Sequence, residues 1–197
     1  MTLILASGST TRRVMLDAAD VVFDVMPAAV DEAPLRGRLR GLAAPSSEIA
    51  RELAALKAQA VSAAHPDAWV IGSDSLCDVA ERAFDKPTSR DEAEAQLRIM
   101  SGATMRLTSA VVLARGGNVV WAHAEVAELD VRSLSDAFIA AYLDAEWPAI
   151  AGCVGAFRIE GRGVQLFDAV RGSHFTILGM PLLPLLGALR ERGVLRA

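Results

Sequence analysis

Trp69-Val70-Ile71-Gly72-Ser73-Asp74-Ser75 decides how this chain reads. Four apolar or small residues give way abruptly to a polar run with one carboxylate. That pattern predicts a buried strand whose end delivers Asp74 to a loop. In α/β sheets, ligands gather at the carboxyl ends of strands. An acidic residue there can bind a divalent ion or take a proton from water. Read alone, it is equally an ordinary strand-end aspartate.

Working outward, Leu3-Ile4-Leu5-Ala6 reads as a second buried strand. A polar loop, Ser7-Gly8-Ser9-Thr10, follows it and leads into a helix from about Thr11 to Ala19. A strand is expected at Val21 to Met26, and irregular chain over 28–45, where Pro34, Gly37, Gly41 and Pro45 fall. Ser46 or Ser47 can cap a helix to about Ala64. Ser89-Arg90-Asp91-Glu92 is a capping box for a helix that stops near Gly102. Met105 to Leu113 and Val119 to Val131 read as an antiparallel pair around Gly116-Gly117-Asn118. A helix over Leu134 to Leu143, short strands at Ala156 to Ile159 and Val164 to Asp168, and a helix over Leu182 to Arg192 complete the expected order. Strands alternate with helices early and pair antiparallel later, which is a mixed α/β pattern. No internal repeat or linker is visible, so a single domain over 1–197 is expected.

Composition narrows the function. The chain has 197 residues, 52% of them hydrophobic, enough to bury a core. Its net charge of −4 argues against non-specific binding to nucleic acid or an anionic membrane. A phosphate-bearing ligand must then be held by a few local cations. The two cysteines, Cys77 and Cys153, lack CxxC spacing and read as thiols of a reducing, cytoplasmic compartment. The N-terminus lacks the basic region and long apolar core of a signal peptide. The apolar tract Ile177 to Leu189 is interrupted by Pro181 and Pro184 and is too short to span a membrane. His65, His123 and His174 form no HExxH, and neither a GxSxG nor a Walker loop is present.

The strand-to-helix junction at Ser7, Ser9, Thr10 and Thr11 precedes Arg12 and Arg13. Free backbone N–H groups and the helix dipole favour an anion there, and arginine adds bidentate donors. The same segment also reads as an ordinary threonine-capped helix with two exposed arginines. Asp31 and Glu32 add carboxylates. Lys57 interrupts an apolar helical stripe between Leu53 and Val61, either snorkelling or aimed at a polar site. Lys86 precedes Pro87.

Taken in order, these segments resemble the Maf family of nucleotide pyrophosphatases. The resemblance rests on Leu5-Ala6-Ser7-Gly8-Ser9-Thr10-Thr11-Arg12-Arg13, Val30-Asp31-Glu32, Leu56-Lys57-Ala58, Ile71-Gly72-Ser73-Asp74-Ser75, Lys86-Pro87, Ser101-Gly102 and Gly179-Met180-Pro181-Leu182. It spans nearly the whole chain. Thr10 stands where a proline is common, Asp85 where a glycine is usual, and Arg106 and Ser109 also differ from common choices.

The resemblance implies an α/β fold with a mixed sheet flanked by helices and two lobes around a cleft, similar to the inosine triphosphatases. It implies hydrolysis of a nucleoside triphosphate to the monophosphate and pyrophosphate, with Mg²⁺ or Mn²⁺, in a protein that is often a homodimer. By position, Asp74 is the proton acceptor and Glu32 supports the metal and water. Ser7, Arg12, Arg13, Lys57 and Lys86 face the phosphates. Thr11, Ser75 and Glu160 hold the specificity positions. Cys77 and Glu160-Gly161-Arg162-Gly163 resemble the branch acting on 7-methyl-GTP. A preference for dTTP or UTP, and a non-catalytic nucleotide-binding regulator of septum formation, stay open.

Overall fold

The computed structural model describes residues 2–196. Its strands are β1 (Leu3–Leu5), β2 (Asp24–Val25), β3 (Trp69–Val79), β4 (Arg82–Phe84), β5 (Thr104–Arg115), β6 (Asn118–Val131) and β7 (Phe167–Arg171). Its helices are α1 (Thr10–Ala18), α2 (Ala33–Gly41), α3 (Ser46–Ala64), α4 (Arg90–Met100), α5 (Asp136–Glu146), α6 (His174–Ile177) and α7 (Leu182–Glu191). The strands form one sheet in the order β2-β1-β3-β5-β6-β7, with β4 paired to β3. β1 pairs parallel with β2 and β3, whereas β4 and β7 pair antiparallel with their neighbours. This is the mixed α/β sheet expected. No helix among the described residues is long and apolar enough to cross a membrane.

The chain divides into two compact units. The first takes in the residues up to Ser75, Thr108–Glu125 and those from Leu178 onward. The second is Leu76–Leu107 with Val126–Ile177.

In the first unit, α3 lies against the start of β3 at unusually short range. A Cβ added to Gly72 would sit 2.1 Å from the carbonyl oxygen of Ala54 and 2.8 Å from the Ala58 Cβ. Only glycine leaves room for the helix backbone. Leu53, Ala54 and Ala58 are fully buried on that face of α3, and Lys57 belongs to the same helical turn. At the far end of α3, Ser62 Oγ accepts from the Gly117 N–H at 3.1 Å. Gly116 and Gly117 both have positive φ, the conformation a two-residue hairpin between β5 and β6 requires.

The second unit has its own apolar core, in which Leu97, Met100, Met105, Leu129, Ile139 and Leu143 are almost wholly buried. Helix α4 begins at a Ser89 cap whose Oγ accepts from the Glu92 N–H. Glu92 does not return to Ser89 as a capping box would. It accepts from the N–H and hydroxyl of Thr88 instead, at 2.8 and 2.7 Å.

Four expectations are corrected. Residues 28–45 are not irregular throughout: Ala33–Gly41 is helical. Pro34 lies in the first turn, where its missing N–H is not needed, Asp31 Oδ1 accepts from the Ala33 N–H, and Glu32 pairs with Arg36 one turn on. The second strand shrinks to two residues, and the apolar Val22 before it is exposed. Ala156 to Ile159 is not a strand, because Ala156 has a φ of +54°. Val164 to Asp168 is mostly a 3-10 turn, Arg162–Leu166, with β7 starting at Phe167. Gly163 there packs so tightly on the Arg158 backbone that an added Cβ would lie 2.5 Å from its carbonyl oxygen.

Cys77 is buried and Cys153 half-buried, and both are free thiols. Burial, with Asp78 close by, pushes the Cys77 thiol up to about 12. Cys153 is also raised, by burial first and Glu160 second. At pH 8 a disulfide reagent should therefore leave Cys77 unmodified in the folded protein and label both thiols in urea. Rapid labelling of native Cys77 would show that the β3 end opens readily. Gly72→Ala should destabilise the protein by more than ~2 kcal/mol, because helix and strand backbones must separate. The reading is urea unfolding, and a variant as stable as the parent would contradict the contact.

Candidate active site

Helix α3 brings a lysine to a strand that presents an aspartate. The expectation that Asp74 follows the strand is corrected: β3 continues to Val79. Its partners change on the way. Residues 69–71 pair with β1, and 77–79 pair with β4. Asp74 lies between these two pairings, just past the end of β1, so it meets the loops that leave β1 and β2.

Lys57 Nζ lies 2.6 Å from Asp74 Oδ1 and 3.0 Å from Glu32 Oε1. The side chains are 13%, 9% and 26% exposed respectively, so Lys57 and Asp74 are largely shielded from water and Glu32 is partly open to it. Glu32 also holds Arg36 through Oε2 at 3.0 Å. One ammonium thus serves two carboxylates, and one of them is shared with a guanidinium. Two of the three ammonium N–H bonds are used, leaving one for a ligand oxygen. Asp74 Oδ2 is buried and has no hydrogen-bond partner. A buried carboxylate oxygen in that state is expensive unless a proton, water or cation completes it.

Around the β1–α1 loop, Ser9 caps α1 by accepting from the Arg12 N–H. Ser7 Oγ accepts from the Ser9 N–H at 3.3 Å and from Arg12 Nη1 at 3.1 Å. With both lone pairs engaged, the Ser7 hydroxyl proton is left to donate outward. Arg12 also donates to the carbonyls of Ser73 and Gly179 and to Ser75 Oγ. Arg13 is exposed, and Thr11 is half-buried in the same turn.

Of the residues singled out above, Ser7, Thr11, Arg12, Arg13, Glu32, Lys57, Asp74 and Ser75 belong to the first unit. Lys86 and Glu160 belong to the second, and both are exposed. The loop carrying Lys86 is anchored on either side. Gln96 Nε2 donates to the Asp85 carbonyl at 3.1 Å, and Glu92 receives Thr88. Arg158 close to Glu160 is committed to Glu146 at 2.7 Å. Three participants were not expected as such. Arg36 was hidden by reading its segment as loop; Ser73 and Gly179 stood inside quoted motifs with no assigned task.

The donor set suits a hard divalent cation. Asp74 Oδ2 is free, and each Glu32 oxygen has spare acceptor capacity. No group of three or more His, Cys, Asp or Glu side chains placed to hold a metal occurs among the described residues. Two carboxylates with the remaining ligands from water and phosphate is the usual pattern for Mg²⁺.

Direct bonding between Lys57 and Asp74 has a thermodynamic signature. Lys57→Met should cost about 2 kcal/mol by leaving the Asp74 carboxylate without its cation and Glu32 with Arg36 alone. Adding Asp74→Asn should recover part of it, with a coupling of at least ~1 kcal/mol in a double-mutant cycle. Strictly additive losses would show that the two side chains do not interact.

The model for Maf-like proteins matches residues 2–192. A 7-methyl-GTP pyrophosphatase from Rhizobium etli is 45% identical over 193 residues, 98% of this chain and 97% of the relative. A nucleoside triphosphate pyrophosphatase from Paramagnetospirillum magneticum is 47% identical over 192 residues, 98% of this chain and 99% of the relative. Among solved structures, a HAM1 protein from Coxiella burnetii overlaps 66% of this chain and 73% of its own, at 13% identity and a TM-score of 0.46. With the family pattern matched from Thr2 to Arg192 and full-length relatives at nearly half identity, this chain is a member of the Maf family.

Proposed function

We propose that this protein hydrolyses a nucleoside triphosphate to the monophosphate and pyrophosphate, with attack at the α-phosphorus. One observation carries the reading: Lys57 bridges Asp74 and Glu32 while Asp74 Oδ2 stays buried and unpartnered. The names of the full-length relatives point the same way.

A triphosphate brings about four negative charges, and the transition state adds oxyanion character at the attacked phosphorus. Lys57, with one N–H to spare, is the proposed contact to that phosphate. Ser7 adds its free hydroxyl, and Arg13 and Lys86 add exposed cations. Asp74 Oδ2 is the proposed proton acceptor for the attacking water. Lys57 on Oδ1 fixes the carboxylate plane, so that Oδ2 keeps one direction. Glu32, held by Lys57 and Arg36, is the second acidic group. A bound Mg²⁺ or Mn²⁺, held by Asp74 and Glu32, would offset the charge of the phosphates.

For the base, we assign recognition to Glu160 and a preference for 7-methyl-GTP or another modified purine triphosphate. Its carboxylate is exposed and has no hydrogen-bond partner among the described residues. A guanine edge offers N1–H and the 2-amino group, both of which a carboxylate can accept. Methylation at N7 makes the ring cationic and strengthens these donors. Uracil and thymine present an acceptor–donor–acceptor edge, which a carboxylate meets poorly.

A nucleotide panel with Mg²⁺ or Mn²⁺, assayed separately for pyrophosphate and orthophosphate, should give pyrophosphate alone. Orthophosphate with a stable diphosphate product would refute the reaction. Asp74→Asn should lose at least ~100-fold in turnover while remaining folded; near-normal turnover would move the base elsewhere. Glu160→Gln should lower kcat/KM for 7-methyl-GTP relative to UTP and dTTP. An unchanged ranking would remove Glu160 from base recognition.

A further inference from the structure

We propose that Arg12 is a positioning residue, one that holds the Asp74 segment of β3 in place and does not bind the substrate's phosphates. The inference rests on the hydrolytic reading above and separates the two adjacent arginines, which the sequence places together at one anion site.

A guanidinium has five N–H donors. Four of them go to protein oxygens here. Nε donates to the Gly179 carbonyl at 2.9 Å, and Nη1 to Ser7 Oγ and to the Ser73 carbonyl, both at 3.1 Å. Nη2 donates to Ser75 Oγ at 3.0 Å. A phosphate could receive the one remaining N–H, but a bidentate grip would need a protein bond to be given up.

The acceptors are placed tellingly. Ser73 and Ser75 flank Asp74, so Arg12 holds the backbone before it and the side chain after it. Gly179 belongs to the segment leading into α7, and Ser7 to the loop leaving β1. Ser73 Oγ lies 2.8 Å from the Ala110 carbonyl and 3.1 Å from that of Gly179. Ser75 Oγ lies 2.9 Å from Ser109 Oγ. Gly179 adopts a φ of +104°, and an added Cβ would fall 3.3 Å from Ser75 Oγ and 3.6 Å from Arg12 Nη2. These carbonyls and hydroxyls are linked to one another, and Arg12 donates to four of them. Arg13, by contrast, is exposed and makes no side-chain hydrogen bond or ion pair among the described residues. It is the arginine free to meet a phosphate.

Lysine keeps the charge of Arg12 but cannot span four acceptors from one nitrogen. Arg12→Lys and Arg12→Gln are therefore compared with Arg13→Gln and Ser75→Ala. The readings are kcat, KM, calorimetric Kd for an α,β-methylene triphosphate with Mg²⁺, and hydrogen exchange of amides 73–75 and 178–180. Both Arg12 variants should lose about 100-fold in kcat, as for a reacting group misplaced by about an ångström, with Kd within about threefold of the parent. Exchange at both segments should accelerate, and lysine should not rescue. Ser75→Ala, which removes one arm only and keeps the fold, should lower kcat about tenfold with Kd unchanged. Arg13→Gln should weaken Kd about tenfold and leave exchange at those amides alone. If Arg12→Gln weakens analogue binding tenfold or more while Arg12→Lys restores it, and exchange at 73–75 does not change, Arg12 is a phosphate ligand and the proposal is wrong. A parent protein that releases no pyrophosphate would overturn the hydrolytic reading instead; analogue affinity and exchange would still decide Arg12.

Discussion

The site depends on a lysine held between two carboxylates, Asp74 and Glu32, at 2.6 and 3.0 Å. That arrangement is possible only because α3 approaches β3 across Gly72, where any side chain would collide with the helix backbone. Glycine thus sets the height of the lysine above the strand. The ion pairs alone could not do so, since desolvating three charges offsets much of what their attraction returns. Apolar packing of Leu53, Ala54 and Ala58 supplies the stability, and the charged residues determine what the surface can bind.

The same economy bears on how an acidic chain would hold the polyanion proposed as its substrate. With a net charge of −4, long-range attraction for phosphate is not available. Cations must be local, oriented and kept from neutralising one another's purpose. Lys57 is oriented by carboxylates, and Arg12 is spent on carbonyls and hydroxyls. Arg13 and Lys86 remain exposed. Local sequence cannot make these distinctions, because the partners of Arg12 lie 61 to 167 residues away except for Ser7.

Legibility followed the range of the forces involved. The cap at Ser89, the Gly116-Gly117 hairpin and the buried strands at 3–5 and 69–72 rest on local chemistry, and each was readable, whereas the first helix, expected with a threonine cap, is capped by Ser9. Helix α2 was missed because Pro34, Gly37 and Gly41 look like breakers when counted without position. In place, the proline sits in the first turn and the two glycines face open space. The strands expected at 156–159 and 164–168 failed because apolar runs there serve close packing around Gly163 rather than pairing. Asp74 was expected past the end of its strand and lies within it, since the exchange of β1 for β4 as partner leaves no local mark. Ser73 and Gly179 carried no signal of their task, which exists only once Arg12 reaches them.

The central claim is that the Asp74–Lys57–Glu32 group directs water to the α-phosphorus. Hydrolysis of a nucleoside triphosphate in oxygen-18-enriched water tests it most directly, because the label records which phosphorus was attacked. The account predicts the heavy oxygen in the nucleoside monophosphate and none in the pyrophosphate. Label found in the pyrophosphate would place attack at the β-phosphorus and contradict the account.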